Sequence, residues 1–317
     1  MRRRSGLAAV RRHVPRRAPR GGRRLAARVV GVGLALAPLG VAGAQAAAAA
    51  AVAPTRSAAE AVMLRLRPRG GDTLRTRFEQ SITVTPAAAT GRAAAATMTS
   101  TLVVLARSAV EQVDGSGALI TALTDSVTMS AVGVPARQLE QARRALVGRR
   151  ARLRIAPDGA MELLGASGNG TASGPPGVGG GGARLPGTLP AMAVRIGAAW
   201  SRALPAPWSV SGAGAGGEPP TLAVTFRLDS TSHRGGRAWL TMAGGVRATP
   251  GAATRGGVTG GTVHGSLVVD LARGWVTDSR ATFVLDARLP LPAEGRDSAA
   301  PAPSAVRVVV TQRLHAY

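Results

Sequence analysis

The stretch WVTDSRATFVLDARL, residues 275–289, alternates apolar or small side chains with polar and charged ones at every second position. A period of two places successive side chains on opposite faces of a β-strand, so one face of this strand is buried and the other meets solvent. The face expected to be buried holds Trp275, Thr277, Ser279, Ala281, Phe283, Leu285, Ala287 and Leu289. This long strand indicates a large antiparallel sheet.

The same alternation recurs along the chain, with Gly-rich and Asp-containing turns between the runs. Further strands are predicted at 72–85, 96–107, 117–130, 221–229, 237–242, 261–272 and 305–316. The run 62–67 is predicted to pair with 72–85 as a hairpin. Only 135–148, which opens at Pro135 and closes at Gly148, has helical spacing. We therefore expect an all-β fold with minor α content: a long-stranded, strongly curved antiparallel sheet, approaching an open half-barrel, with one helix near 135–148.

The first 44 residues have the layout of a secretory signal peptide, with 11 Arg and no acidic residue. An apolar stretch follows the Arg runs, and Ala42-Gly43-Ala44 provides a small-residue cleavage site. We favour cleavage after Ala44 over the alternative of an uncleaved membrane anchor. Either interpretation places the rest of the chain outside the cytoplasm, in the periplasm or beyond.

The exported part is predicted to begin with a disordered mature N-terminus, residues 45–61. Residues 62–317 are predicted to form a single β-rich domain. Within that domain, residues 165–187 consist almost entirely of Gly, Ser, Pro and Ala, and we interpret them as a flexible linker.

Composition excludes several kinds of chemistry. All 40 basic residues are Arg, and the chain has no Cys, so a phosphate-binding or Schiff-base lysine and a thiolate nucleophile are excluded. His264, Ser266 and Asp270 could be written as a catalytic set, but alternate residues of one strand lie about 6–7 Å apart, too far for direct proton transfer. No His, Asp or Glu spacing indicates a metal site. We expect no cofactor and no enzymatic activity, with a hydrolase as the least favoured alternative.

Six Arg residues lie within twelve positions and are opposed locally only by Glu140 and Asp158. We predict an anion-binding patch at Arg143, Arg144, Arg149, Arg150, Arg152 and Arg154. Its partner would be an anionic membrane or an envelope polymer. Nucleic acid is disfavoured because stacking aromatics are scarce and the chain is exported. The alternative is an ordinary solvated face.

Three stretches resemble secreted bacterial β-proteins related to the LolA/LppX-like lipoprotein-carrier half-barrels. These are LRLRPRGGDTLRTRFEQSITVT at 64–85, LPGTLPAMAVRIGAAWSRALP at 185–205 and DLARGWVTDSRATFVLDARL at 270–289. The resemblance implies a curved antiparallel sheet whose concave apolar face is partly covered by a helix and can take an acyl chain. The chain has no lipidated Cys.

The leading functional prediction is an exported, non-enzymatic envelope protein that binds a hydrophobic or amphipathic, lipid-like ligand on the concave face of the sheet. The residues predicted to contact it are Phe78, Ile82, Val84, Phe283, Leu285 and Val308, which could alternatively be ordinary core. The competing prediction is a structural or adaptor protein with a solid core that docks through its Arg-rich surface. The sequence carries no signal for an oligomeric state.

Overall fold

The computed structural model describes residues 61–87, 96–167, 184–205, 221–232, 234, 236–248, 257–289 and 304–317. The predicted signal peptide and all of 45–61 except Ala61 lie outside this part of the chain. The elements are β1 (Thr73–Pro86), β2 (Met98–Asp114), β3 (Gly117–Ala131), α1 (Ala136–Leu146), β4 (Arg150–Ile155), β5 (Met161–Ser167), β6 (Arg184–Leu185), β7 (Ala199–Pro205), β8 (Thr221–Thr231), β9 (Arg237–Arg247), β10 (Gly257–Asp270), β11 (Trp275–Leu289) and β12 (Ser304–Ala316).

The twelve strands form one antiparallel sheet in the order β6-β5-β4-β3-β2-β1-β12-β11-β10-β9-β8-β7. Two six-stranded meanders are therefore joined by the pairing of β1 with β12, which runs from Thr76 opposite Ala316 to Pro86 opposite Val306. The predicted all-β fold with an open, curved sheet and one helix is confirmed. The helix is slightly shorter than the predicted 135–148.

The described strands bury one face, here called the inner face. In β8, Leu222, Val224, Phe226 and Leu228 are no more than 1% exposed, whereas the intervening Ala223, Thr225 and Arg227 are exposed. Across the sheet, buried residues of β3, β4 and β5 belong to the same core cluster as residues of β7 to β11. The sheet therefore rolls until its inner face packs against itself.

The two ends of the half-barrel differ. At one end, here called the turn end, short connections join β2 to β3, β4 to β5, β8 to β9 and β10 to β11. At the opposite end, here called the loop end, the connections are longer and one of them contains α1. The helix contacts β3, and its Leu146 packs against a cluster formed by Phe78, Leu102, Val104 and Val127 on the inner face. The helix thus covers part of the concave face.

The predicted hairpin of 62–67 with 72–85 is wrong. Val62 instead forms an isolated antiparallel bridge with Val194. Further along, the amide of Leu66 donates to Pro157 O at 2.8 Å, and that of Arg67 donates to Gly274 O at 3.1 Å. The segment 62–67 therefore crosses the turn end, and its Leu64 is fully buried in the core. Alternate residues of this segment face the core as it crosses. A crossing segment therefore shows the same alternation in sequence as a strand, and the pattern cannot distinguish the two.

The edge strands are β6 and β7, and the connection between them crosses the remaining gap. Trp200 Nε1 on β7 donates to Thr188 O at 2.8 Å. The guanidinium of Arg202 donates to Gly187 O at 3.2 Å and to Leu189 O at 2.9 Å. Side-chain donors thus satisfy carbonyls at the opening, where no strand ladder satisfies them.

The predicted linker at 165–187 is shorter than expected at both ends. Residues 165–167 complete β5 by pairing with β4, and Arg184 and Leu185 form β6. Gly187 is buried because Asp158 packs where a side chain on this glycine would lie. The remainder of the predicted linker lies outside the described residues.

Replacing Phe283 by Ala should lower the free energy of unfolding by about 3–5 kcal/mol, since this ring is fully buried in the core. Trp239 is a matched control, because it is an aromatic strand residue that is 38% exposed. Its replacement by Ala should change the stability by less than about 1 kcal/mol. Urea denaturation of both variants measures the difference, and equal losses would contradict the assigned faces.

The neighbouring glycines of β9 offer a second test of the rolled sheet. A Cβ on Gly244 would lie 2.4 Å from Ala223 O, whereas on Gly245 its nearest neighbour is Gly261 O at 3.8 Å. Gly244→Ala should therefore destabilise the protein by about 1–3 kcal/mol through overpacking, and Gly245→Ala should be close to neutral. The melting temperatures of the two variants check this, and no difference between them would contradict the close strand approach at Gly244.

Candidate functional site

The six predicted ligand-binding residues lie on the inner face of three adjacent strands. In the loop-end half of these strands, Val308 of β12 is directly opposite both Val84 of β1 and Leu285 of β11. One row nearer the turn end, Val310 is opposite both Ile82 and Phe283. Phe78 follows two rows further along the same face of β1. The structure therefore brings all six together on one surface.

Burial divides these six residues into two groups. Phe78, Phe283 and Leu285 are 6%, 0% and 1% exposed, so they belong to the closed core. Ile82, Val84 and Val308 are only half-buried and pack at the margin of the core clusters. The apolar inner face is thus closed around Phe78, Phe283 and Leu285 and only partly covered at Ile82, Val84 and Val308. A further buried cluster of Ala287, Leu289 and Val306 lies beyond them at the loop end.

The open surface extends beyond the predicted residues. Met98 of β2 is opposite Val84 and is 42% exposed. Met129 of β3 is half-buried, and α1 packs beside it. The name inner patch is used below for the half-buried or exposed apolar residues Ile82, Val84, Met98, Met129 and Val308.

The two Met residues of the inner patch were missed by the sequence analysis. A usable signal existed, because Met98 has the same parity in β2 as Leu102, and Met129 has the same parity in β3 as Val127. Both Met residues continue the buried face to the strand ends, where the alternation is least pronounced.

A cleft of about 240 Å³ lies between the helix and β3, at one side of the inner patch. Its lining is Met129, Ala136, Leu139, Glu140 and Arg143. The helix therefore supplies an apolar wall from Ala136 and Leu139 and a charged rim from the Glu140–Arg143 pair. Such a cleft can take part of an apolar chain beneath a polar end group.

Two glutamines place polar groups on the otherwise apolar inner face. Gln80 and Gln312 are opposite each other on β1 and β12, and they are 8% and 5% exposed. The side-chain carbonyl oxygen of Gln312 is buried without a hydrogen-bond partner among the described residues. On the helix, Gln138 Oε1 is in the same situation. The inner face thus carries acceptors able to receive a hydrogen bond from a hydroxyl or amide group.

In the predicted anion-binding patch, carboxylates pair with more of the Arg side chains than the local sequence indicated. Arg143 and Arg144 both bind Glu140 at 2.7 Å. Across β3, Arg152 pairs with Glu111 at 2.8 Å and Arg154 pairs with Asp114 at 2.9 Å, so carboxylates outside the local sequence also oppose the cluster. Asp158 instead accepts the amide of Ala160. The reason is strand pairing, which brings in carboxylates about 40 residues away in sequence.

The carboxylates of this cluster are held in their charged form. Hydrogen bonds from Ser116 and then Arg154 lower the pKa of Asp114 to about 2. Hydrogen bonds from Arg143 and Arg144 lower the pKa of Glu140 to about 2. The pKa of Glu111 is also lowered, chiefly by Thr121 and then by Arg152. Of the six predicted Arg residues, Arg149 and Arg150 make no ion pair within the described part of the chain.

The three residues considered as a catalytic set, His264, Ser266 and Asp270, lie along one strand. His264 and Ser266 lie exposed on the outer face of β10, and Asp270 accepts the amides of Ala272 and Arg273 in the following turn. Within the described ranges, no group of three or more His, Asp and Glu side chains is placed to hold a metal ion. Nor does any helix of those ranges have the length and apolar character to cross a membrane.

No known protein family matches this chain, and no curated protein matches it. Among solved structures, the chain is similar to an outer membrane channel from Pseudomonas putida F1. The match covers 80% of this chain and 97% of the channel, at 10% identity and a TM-score of 0.21.

The Glu140 carboxylate gives a direct test of the neutralised cluster. Because its pKa in the folded protein is depressed from 4.5 to about 2, the pair contributes to stability above pH 4.5 and this contribution is lost as the pH falls towards 2. Arg143→Gln should raise the pKa of Glu140 towards its ordinary value. Arg137→Gln, on the same helix, should leave it unchanged. Carboxyl chemical shifts followed by NMR across this pH range report the result, and a pKa insensitive to Arg143 would contradict the pairing.

Proposed function

We propose that this protein is an exported, non-enzymatic envelope protein that binds a hydrophobic or amphipathic ligand on the loop-end half of its inner face. The observation that carries the proposal is the inner patch. These residues continue the apolar core face, yet they remain half-buried or exposed, and Met98 reaches 42%. Contiguous exposed apolar surface of this kind is typical of a ligand-binding or interaction site.

The difference between the two ends supports a defined direction of access. At the turn end, Leu64 is fully buried and segment 62–67 is hydrogen-bonded to turns from three other parts of the chain. The inner patch, in contrast, is half-buried or exposed, and α1 packs at its side. A ligand would therefore enter at Met98, the most exposed residue of the inner patch, and lie against β1, β2 and β12.

The chemistry of the inner face favours an amphipathic ligand over a plain hydrocarbon. A buried carbonyl oxygen without a donor destabilises the fold by about 1–3 kcal/mol. A hydroxyl or amide N–H of the ligand that reached Gln312 Oε1 would satisfy it. The apolar remainder would lie along Ile82, Val84 and Val308, in the direction of Met98.

The size of the cleft between α1 and β3, called the helix cleft, indicates which part of such a ligand it could hold. Small-molecule sites usually enclose about 300–1,000 Å³, and the helix cleft alone provides about 240 Å³. One end of the ligand would therefore occupy the helix cleft, and the rest would cover the inner patch. A carrier or presenter of a single acyl-type chain fits these dimensions better than a container for several chains.

The adaptor alternative has less support from the geometry. It relied on an uncompensated Arg patch at 143–154, and four of its six Arg residues pair with Glu140, Glu111 or Asp114. Exposed ion pairs contribute little to stability, but they reduce the local positive potential on which docking to an anionic polymer depends.

Adjacent valines of β12 provide a matched test of the proposed site. Val308 points to the inner face and Val309 to the outer face, and both are half-buried. Val308→Asp should weaken binding of a fluorescent fatty acid by at least about tenfold, since a carboxylate would be desolvated against the chain. Val309→Asp should bind like the wild type. Met98→Asp, at an exposed position, should also weaken binding without lowering the melting temperature.

Native mass spectrometry of protein purified gently from its host is the complementary measurement. The proposal predicts a co-purifying lipid-like mass that is lost in the Met98→Asp variant. A clean ligand-free mass, together with equal fatty-acid binding by the Val308 and Val309 variants, would overturn it in favour of the adaptor.

A further inference from the structure

The outer face of the sheet has a cleft of its own, formed where β1, β10, β11 and β12 lie side by side. Its volume is about 420 Å³, larger than the helix cleft. The name outer cleft is used here for this feature, whose charged lining consists of Arg77, Glu79, Asp278, Arg280, Arg313 and His315. It lies on the opposite face from the inner patch and plays no part in the function proposed above.

Strand register places these side chains in two neighbouring rows. In the first row, Arg313 of β12 is directly opposite both Glu79 of β1 and Arg280 of β11. In the second, His315 is opposite both Arg77 and Asp278. Directly opposed residues have Cβ atoms about 4.5–5.5 Å apart. The guanidinium groups of Arg280 and Arg313 therefore reach over the same part of the cleft.

Neither carboxylate of the outer cleft pairs with Arg280 or Arg313. Glu79 binds Arg77 at 2.6 Å, and Asp278 lies 2.7 Å from His315 Nδ1. In contrast, the side chains of Arg280 and Arg313 make no ion pair or hydrogen bond with any described residue. Both are exposed. Two like charges directly opposite each other destabilise a sheet, so an anion bound between them would relieve repulsion as well as gain hydrogen bonds.

We propose that the outer cleft binds a phosphate group between Arg280 and Arg313. Each guanidinium presents a planar fork of N–H donors that matches phosphate oxygens in pairs. A tetrahedral phosphate can direct two oxygens to each strand, whereas a single carboxylate is satisfied by one fork. The three Arg and two carboxylates of the lining leave the cleft with a net positive charge, and because Arg77 is paired with Glu79, Arg280 and Arg313 are the Arg residues available to a ligand.

The outer cleft differs from the Arg cluster at 143–154 in the ion pairing of its Arg side chains. There, strand pairing and helical spacing supply carboxylates to four Arg residues. In the outer cleft the same strand pairing places Arg against Arg. A run of Arg residues in the sequence is therefore a poor guide to which Arg side chains lack an ion pair. Arg280 and Arg313 are far apart in the sequence, yet strand pairing brings them together without a carboxylate partner.

Calorimetric titration of the purified protein with inorganic phosphate at low ionic strength tests the site. Saturable binding is expected, and Arg280→Gln/Arg313→Gln should weaken it by at least about tenfold. The control Arg149→Gln/Arg150→Gln removes the same charge from Arg residues that also lack ion pairs, and it should change the affinity by less than about twofold. Equal losses in the two double variants, or no saturable binding by the wild type, would overturn the proposal.

Three further variants guard against loss of folding and separate the effect of charge from that of guanidinium geometry. All four replaced Arg side chains are at least partly exposed, so melting temperatures should remain close to that of the wild type. Should the double variant unfold, the single variants Arg280→Gln and Arg313→Gln carry the test, and each should weaken binding. Arg280→Lys/Arg313→Lys keeps the charge without the fork and should give an intermediate affinity. Full retention by the Lys variant would contradict the assigned fork geometry.

A vesicle experiment distinguishes the source of the phosphate. Vesicles containing phosphatidic acid expose a phosphate monoester, whereas phosphatidylserine provides a comparable negative charge in another chemical form. Preference for phosphatidic acid that disappears in Arg280→Gln/Arg313→Gln supports a lipid headgroup. Saturable binding of inorganic phosphate without any vesicle preference supports a free phosphate or a soluble phosphate ester.

Discussion

A single-layer sheet with one apolar face must cover that face with itself, and the rest of this structure depends on that constraint. No second sheet is present in the described part of the chain, and the one helix packs beside β3. The sheet therefore rolls until residues of β3 to β5 and of β7 to β11 share one core. Glycine permits this where β9 approaches β8 most closely, since a side chain on Gly244 would collide with β8.

Rolling alone does not seal a tube, and the two ends and the edges are completed in different ways. Segment 62–67 closes the turn end with Leu64, and Trp200 and Arg202 span the gap between the edge strands. Away from that end, α1 packs against part of the inner face, and Ala287, Leu289 and Val306 form a separate buried cluster at the loop end. Between these covered regions the apolar face remains half-buried or exposed, and this surface forms the inner patch. Core packing and a binding surface arise here from the same residue pattern.

Alternation in the sequence was sufficient to predict the eight longest strands, the inner face and the six residues that share it, because a period of two is a local property. It did not predict β6 or β7. The exposure of those residues was not predictable, since Val84 and Phe283 show the same alternation and differ only in what packs over them. The partners of Arg152 and Arg154 were missed because Glu111 and Asp114 come from another strand. Segment 62–67 was misassigned because its alternation serves a crossing at the turn end.

The pairing of β1 with β12 gives the sheet a particular order of assembly. Each meander can form from neighbours in sequence, but the strand pair that joins them unites the first strand with the last. While a chain is synthesised from its N-terminus, β1 has one free edge until Ser304–Ala316 becomes available. Unpaired strand edges attract other strands. Losing β12 would therefore leave two half-sheets, each with a long exposed edge in what should have been the middle of the molecule.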